Sequence, residues 1–231
     1  MAPILTSGQI QNKRQRQEDR LKCDVVGPFT IMVVCDGMGG HPEGDVAAEL
    51  AVEDAMRVLK QWCVENSNNE NPSRLKKGGL SSIEIDWRNE SRGCAVFVAV
   101  VYDNQQQAAC AMWLGDSSAI LVLDAPFRVI GLTPQHLEWG CPSKWVPEFS
   151  SPSVAFVDLS LEEQNGYPWR LILFSDGLDP LAYSVPATTS EHDKWAKFLL
   201  NESVDSLMEA AVDRGSEDNI SIVSLRGGPT A

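Results

Sequence analysis

Three apolar segments of the chain run into an aspartate: IMVVCDG at Asp36, CAMWLGD at Asp116 and LILFSDG at Asp176. A fourth, EDNISIVSL, starts just behind Asp218. Taken one at a time, Asp-Gly and Gly-Asp are ordinary turn dipeptides whose side chains bond to the local backbone. Taken together they read differently, because strands of one core bring their ends to a common edge. Two carboxylates about 4 Å apart repel by about 4 kcal/mol at an effective dielectric of about 20. A cluster of such acids therefore takes up protons or binds a compensating cation. With oxygen ligands and no His or Cys pattern, that cation would be hard, magnesium or manganese rather than zinc.

The segment following Asp36, GMGGHPEGD, fits the same chemistry. Gly37, Gly39 and Gly40 let the backbone turn sharply beside an ion and offer a carbonyl to it. Alone they would equally suit a tight strand-to-helix turn. They do not form a phosphate-cradling P-loop, which needs G-x-x-x-x-G-K-[ST]. Upstream, NKRQRQEDR places Arg14, Arg16, Glu18, Asp19 and Arg20 before the first expected strand. Such a run commonly forms a solvated face. Beside an acid cluster, its arginines offer a planar fork for phosphate and its acids a second set of metal contacts.

The elements that must position these residues are legible in part. FTIMVVC, from Phe29 to Cys35, is short, continuous and β-branched, and reads as a strand buried on both faces. From Asp45 to about Glu65 a helix is expected, with an apolar face of Val46, Leu50, Val52, Met56, Leu59 and Trp62. ENSNNENPSRLKKGG reads as a polar surface loop. CAVFVAVVYD, QAACAMWLGD and AILVLD read as strands in a run of antiparallel hairpins. From Pro126 to Pro168 the pattern weakens into a Pro- and aromatic-rich stretch, expected to be a long loop or small flap. Order returns with the strand WRLILFSDG, a helical run over EHDKWAKFLLNESVDSLMEAAVDRG and a last strand ISIVSL.

The 231 residues, 43% of them apolar, are enough to close one sizeable core. A net charge of -13 repels phosphate backbones and anionic membranes, which excludes nucleic-acid and membrane-surface binding from the expectations. The six cysteines are scattered without a C-x-x-C pair and read as buried free thiols of a reducing compartment, Cys35, Cys94 and Cys110 lying in apolar runs. No secretion signal or membrane-length apolar run is visible, so the expected location is the cytoplasm.

In their order, RQRQEDR, VVCDGMGGHPEGDVAA, WLGDSSAI, LFSDGLD and GSEDNISIVSL resemble the metal-dependent protein serine/threonine phosphatases of the 2C type, especially the compact bacterial forms. The resemblance extends from about Arg14 to Leu225. It implies an α+β fold, a four-layer α-β-β-α sandwich of two antiparallel sheets flanked by helices. It also implies one domain over residues 1–231 with a flap-like irregular segment at about 126–168. The implied cofactors are two divalent ions, Mn2+ or Mg2+, with Asp116 matching the acid of a third in bacterial members. Asp36 resembles the acid bridging both ions, Gly37 the carbonyl ligand, and Asp176 and Asp218 the remaining ligands of the first. Glu18 resembles the acid holding the second ion, directly or through water, and Asp19 the one ordering metal-bound waters. Arg14 falls where the family binds phosphate, and Asn219 would support Asp218. The implied reaction is direct attack of a metal-bridging hydroxide on phosphoserine or phosphothreonine. The expected partner is a phosphorylated protein, the substrate of an opposing kinase, met by a monomer.

The sequence also departs from that family. Met38 stands where many eukaryotic relatives carry His, and His41 reads as a structural loop residue. Asp179 comes one residue early for the acid that often follows Ser-Asp-Gly, so no role is carried over to it. In the flap only LTPQH resembles the family. Trp139, Trp145, Phe149 and Trp169 there either meet a partner or pin the flap to the core. The Asp-x-Gly-x-Gly box of ATP-binding kinases and gyrases does not fit, because Gly37 follows Asp36 directly. The remaining rival is a catalytically silent 2C-like domain that binds phosphoproteins.

Overall fold

The computed structural model describes residues 3–39, 41–69, 71, 74–77, 79–80, 83–88, 90–124, 126–139, 141–184 and 188–228. Gly40 of the glycine-rich loop lies outside them. In chain order the elements are β1 Ile4–Ile10, β2 Arg20–Val26, β3 Phe29–Gly37, α1 Gly44–Asn66, α2 Arg74–Lys77, β4 Ala95–Asp103 and β5 Ala108–Leu114. Then follow β6 Ser118–Leu123, β7 Arg128–Gly131, β8 Leu137–Glu138, β9 Cys141–Pro142, β10 Ser153–Asp158 and α3 Ser160–Asn165. Next are β11 Trp169–Phe174, a 3₁₀ turn at Asp176–Leu178, α4 Asp179–Ala182, α5 Thr189–Asn201, α6 Val204–Asp213 and β12 Ile220–Gly227.

Two five-stranded antiparallel sheets result, one in the order β1-β12-β11-β6-β7, the other β10-β5-β4-β3-β2. The central strands bury both faces, which is why they read as unbroken apolar runs. One face of β3 carries Ile31, Val33 and Cys35 toward α1, while the other carries Met32 and Val34 toward the second sheet. A third apolar layer joins Ile172, Phe174, Ile220 and Ile222 to α4, α5 and α6. Three cores between four layers make the α-β-β-α sandwich.

Several expectations are corrected. α1 turns its alanines inward, with Ala48, Ala51 and Ala55 buried, while Val46 is 43% exposed. Small side chains let the helix lie close on β3. The expected polar loop after α1 contains α2, whose Arg74 is buried and paired with Asp103 by Nε–Oδ2 at 2.5 Å and Nη2–Oδ1 at 2.6 Å. β5 and β6 do not form a hairpin: the turn between them carries the chain from one sheet to the other. The segment 126–168 is not one irregular flap. It supplies the edge strands β7 and β10, pairing with β6 and β5, and only the small β8–β9 hairpin and its flanks stand apart. Trp169 is fully buried on β11 beside Tyr102, so it belongs to the core, whereas Trp139 is fully exposed. Cys35, Cys63 and Cys110 are buried, Cys23 and Cys94 half-buried, and Cys141 exposed.

Candidate active site

One edge of the sandwich gathers strand ends from both sheets. Asp36 and Gly37 close β3, Asp116 sits in the turn after β5, Asp176 opens the 3₁₀ turn after β11, and Asp218 lies just before β12. Arg14, Glu18 and Asp19 arrive on the segment between β1 and β2. Arg14, Glu18, Asp36, Gly37, Asp116, Asp176, Asp218 and Asn219 all line one cavity of about 520 Å³, with Met38, His41, Cys141 and Trp145 among its other walls. A second cavity of about 580 Å³ shares Arg14, Asp176 and Asp218, so the cluster is reached from two sides. Asp19 does not line either cavity; it is completely buried.

Two of the glycines are there for steric reasons. A Cβ on Gly37 would come within 2.3 Å of the Gly44 carbonyl oxygen, and one on Gly177 within 2.0 Å of the Asn219 carbonyl oxygen. The glycine after each aspartate thus lets a second piece of backbone pass at contact distance and hold the carboxylate's position. The segment carrying Arg14 to Asp19 is pinned by Asn219. Its side-chain oxygen accepts from Glu18 N at 2.9 Å, and its Nδ2 donates to the carbonyls of Gln11 at 2.9 Å and Arg16 at 3.0 Å. Asn219 supports Asp218 only through its backbone N–H, at 2.8 Å from Oδ1.

The electrostatics are those of crowded acids. Burial and the negative charges of Asp19 and Asp176 push Asp36 well above the carboxylate range. Burial, then Asp218 and Asp116, push Asp176 up to about 7. Burial also raises Asp116. Burial raises Asp19 against the opposing effect of the Ser175 hydroxyl, which donates to its Oδ2 at 2.7 Å. Among the described residues the one cation in contact is Arg14, whose Nη2 pairs with Asp218 Oδ2 and whose pKa is raised by that bond.

These residues fit a hard divalent cation. The donors are all oxygen, and buried Asp19 Oδ1 and Asp176 Oδ1 receive no hydrogen bond. Among the described residues no three acids already close into a metal cage. The cleft is instead a set of carboxylates facing a common space. Sequence reasoning missed Ser175, which bridges Asp19 and the backbone N–H of Ser221 at 3.0 Å, although it stands in the FSDG motif itself.

A sandwich with an all-oxygen acidic cleft and an arginine beside it has the build of a metal-assisted hydrolase acting on an anion. The comparisons narrow that class. The family model described as protein phosphatase 2C matches residues 8–139. The serine/threonine phosphatase stp of Listeria monocytogenes is 27% identical over 214 residues, covering 84% of this chain and 82% of that protein. A solved bacterial serine phosphatase superposes with a TM-score of 0.66 at 19% identity, over 98% of this chain and 99% of its own. PppA of Pseudomonas aeruginosa, described as a regulatory component of the T6SS, superposes at 0.62 with 20% identity over 97% of each chain. The chain belongs to the protein phosphatase 2C family.

Proposed function

We propose that this chain is a single-domain protein serine/threonine phosphatase that hydrolyses phosphoserine and phosphothreonine in protein substrates. The observation that carries this reading is the meeting of Asp36, Asp116, Asp176 and Asp218, from two sheets, around one cavity that also contains Arg14. Asp36, Asp176, Asp218 and the Gly37 carbonyl would hold the first of two divalent ions, Mn2+ or Mg2+. Glu18 would hold the second, with Asp19 behind it and Asp116 available to a third. When bound, such ions lower the pKa of a water and offset the charge of the phosphoryl group.

The chain's own groups do the rest. Arg14, 48% exposed at its side chain, is free to exchange Asp218 for a phosphate oxygen pair, presenting two N–H donors in one plane. Asn219 keeps Arg14 and Glu18 at the cleft by pinning the segment they share. His41 and Met38 line the cavity. Every acid of the set is present, so nothing favours a silent, purely binding role.

No helix among the described residues is long and apolar enough to cross a membrane. A cytoplasmic monomer opposing a Ser/Thr kinase is the accompanying proposal, supported by the free thiols and the acidic charge. The test is hydrolysis of p-nitrophenyl phosphate and a phosphothreonine peptide with manganese, magnesium or EDTA, beside Asp36→Asn. Turnover that requires metal and is lost in the variant supports the reading. Metal-independent turnover, or none from folded protein, overturns it.

A further inference from the structure

The LTPQH motif, Leu132 to His136, lies along the turn that carries Asp116 and bonds to that turn and to β5 and β6 on either side of it. Leu132 N donates to the Ala119 carbonyl at 2.9 Å, and Thr133 Oγ1 accepts from Ala119 N at 2.7 Å. The Pro134 carbonyl accepts from Trp113 Nε1 at 2.7 Å. Gln135 Nε2 donates to the Asp116 carbonyl at 2.9 Å and to Asp179 Oδ2 at 3.2 Å.

His136 makes the closest connection. Its backbone N–H donates to the Gly115 carbonyl at 2.8 Å, and its ring Nδ1 accepts from Gly115 N at 3.2 Å. An accepting Nδ1 is bare, so the proton sits on Nε2, which lies 2.9 Å from Ser153 Oγ and donates to it. The ring stacks on Trp113 at 5.7 Å and 15°, which fixes its plane. The His136 carbonyl accepts from Ser143 N at 2.8 Å, beyond the β8–β9 hairpin. Gly115 has a φ of +94° and lies close against Val96, where an added Cβ would strike Cγ1 at 2.1 Å, so the turn needs glycine at this position. The imidazole thus holds the peptide that enters Gly115, and the backbone N–H of His136 holds the peptide that leads on to Asp116.

We propose that His136 is a positioning residue for the phosphatase reaction: by holding both backbone groups of Gly115 it sets the direction of the Asp116 carboxylate. The inference rests on the proposed phosphatase function, since it needs Asp116 to act in the cleft. It gives the LTPQH segment a task distinct from that of the acids. It also links the Asp116 turn to the hairpin at the cleft mouth, where Cys141 and Pro142 stand.

A double-mutant cycle tests it, reading manganese-dependent turnover and, by calorimetry, manganese binding. His136→Ala is expected to lower both roughly tenfold, a loss in keeping with one well-placed hydrogen-bond pair, and to match Asp116→Asn in kind. In the Asp116→Asn background His136→Ala should then cost less than about twofold more. His136→Asn, whose amide oxygen can take the Nδ1 position, should restore most of the function. His136→Gln, whose amide reaches toward Ser153 instead, should not, and this pair decides the matter if the alanine variant fails to fold. Additive losses, equal behaviour of the Asn and Gln variants, or an inert Asp116→Asn would each overturn the proposal. Failure of the phosphatase reading itself shows separately, as metal-independent turnover or as activity surviving Asp36→Asn.

Discussion

Replacing Asp176 by Asn should make the metal-free protein more stable while disabling it. Asp176 stands among Asp218, Asp116, Asp179 and Asp19, and burial with their charges raises its pKa from 3.8 to about 7. Between those two values the folded state holds a proton that the unfolded state has released, so stability falls as pH rises across that window. The full shift corresponds to about 4 kcal/mol by linkage. Because the repulsion is shared with acids that remain, the single substitution should recover about 1–3 kcal/mol at pH 8. In a chain of this length that is a rise of about 3–10 °C in Tm. At pH 4, where the native carboxyl is also neutral, the two proteins should converge. The assay is urea and thermal unfolding in EDTA at pH 4 and pH 8, repeated with manganese. Manganese should reverse the order, stabilising the native protein more than the variant. An Asp176→Asn protein that is no more stable than the native one at pH 8 would refute the crowding argument, and with it the case that these acids await a cation.

Asp36→Asn should cut turnover on the order of a thousandfold with unfolding in EDTA unimpaired, as read by paired activity and melting measurements. Asn219→Ala, which frees the segment holding Arg14 and Glu18, should raise KM for a phosphopeptide and weaken manganese binding together; a change in neither would show that the segment is held elsewhere. Trp145→Ala, at the cavity wall and edge-on to Phe149, should lower kcat/KM on a phosphoprotein while sparing p-nitrophenyl phosphate, and equal losses on both would exclude a substrate contact. Arg74→Met leaves Asp103 charged and buried, which should cost about 3–5 kcal/mol in urea unfolding, most of it regained when Asp103→Leu is added.

How much of this was legible depended on burial. β3, β4, β5, β6, β11 and β12 are covered on both sides, so each is dominated by apolar residues whatever its neighbours, with a few buried polar ones such as Arg170, Ser221 and Ser224. β1, β2, β7 and β10 lie at sheet edges and are largely half-exposed. Their residues carry little hydrophobic alternation, and pairing with a distant strand is what makes them strands. The crossing between sheets after β5 was equally hidden, because a hairpin and a crossing share the same local sequence signal. At the crossing Gly115 takes a left-handed backbone close against Val96, 19 residues away in sequence, and no periodicity reveals that approach. Arg74 was hidden for the opposite reason: a charged residue in a polar stretch reads as surface until its carboxylate partner is known to lie beneath.

The acids of the site were legible because their signal is local, an aspartate at the end of an apolar strand, and the family resemblance then gave them roles. Their supports were legible only in part: Asn219 was expected beside Asp218, but its bonds to Gln11, Arg16 and Glu18, like those of Ser175 and His136, are made with partners far away in the chain. Those supports share a property that bears on the function. Ser175, the backbone N–H groups and the Asn219 amide are neutral, and among the described residues the cluster's only cationic contact is Arg14. Elsewhere Arg20, Lys22, Lys60 and Arg88 pair with Glu49, Asp24 and Glu53, and with Asp54, along and beside α1. A chain with 19 basic residues for 32 acidic ones thus neutralises a helix surface, where ion pairs contribute little, and leaves its most crowded carboxylates without fixed countercharge. Lysines placed among those acids would stabilise the fold more, and would occupy the positions the proposed function gives to divalent ions. On the proposed function the deficit of positive charge at the cleft is a requirement, and it predicts that metal binding and fold stability rise together in this protein.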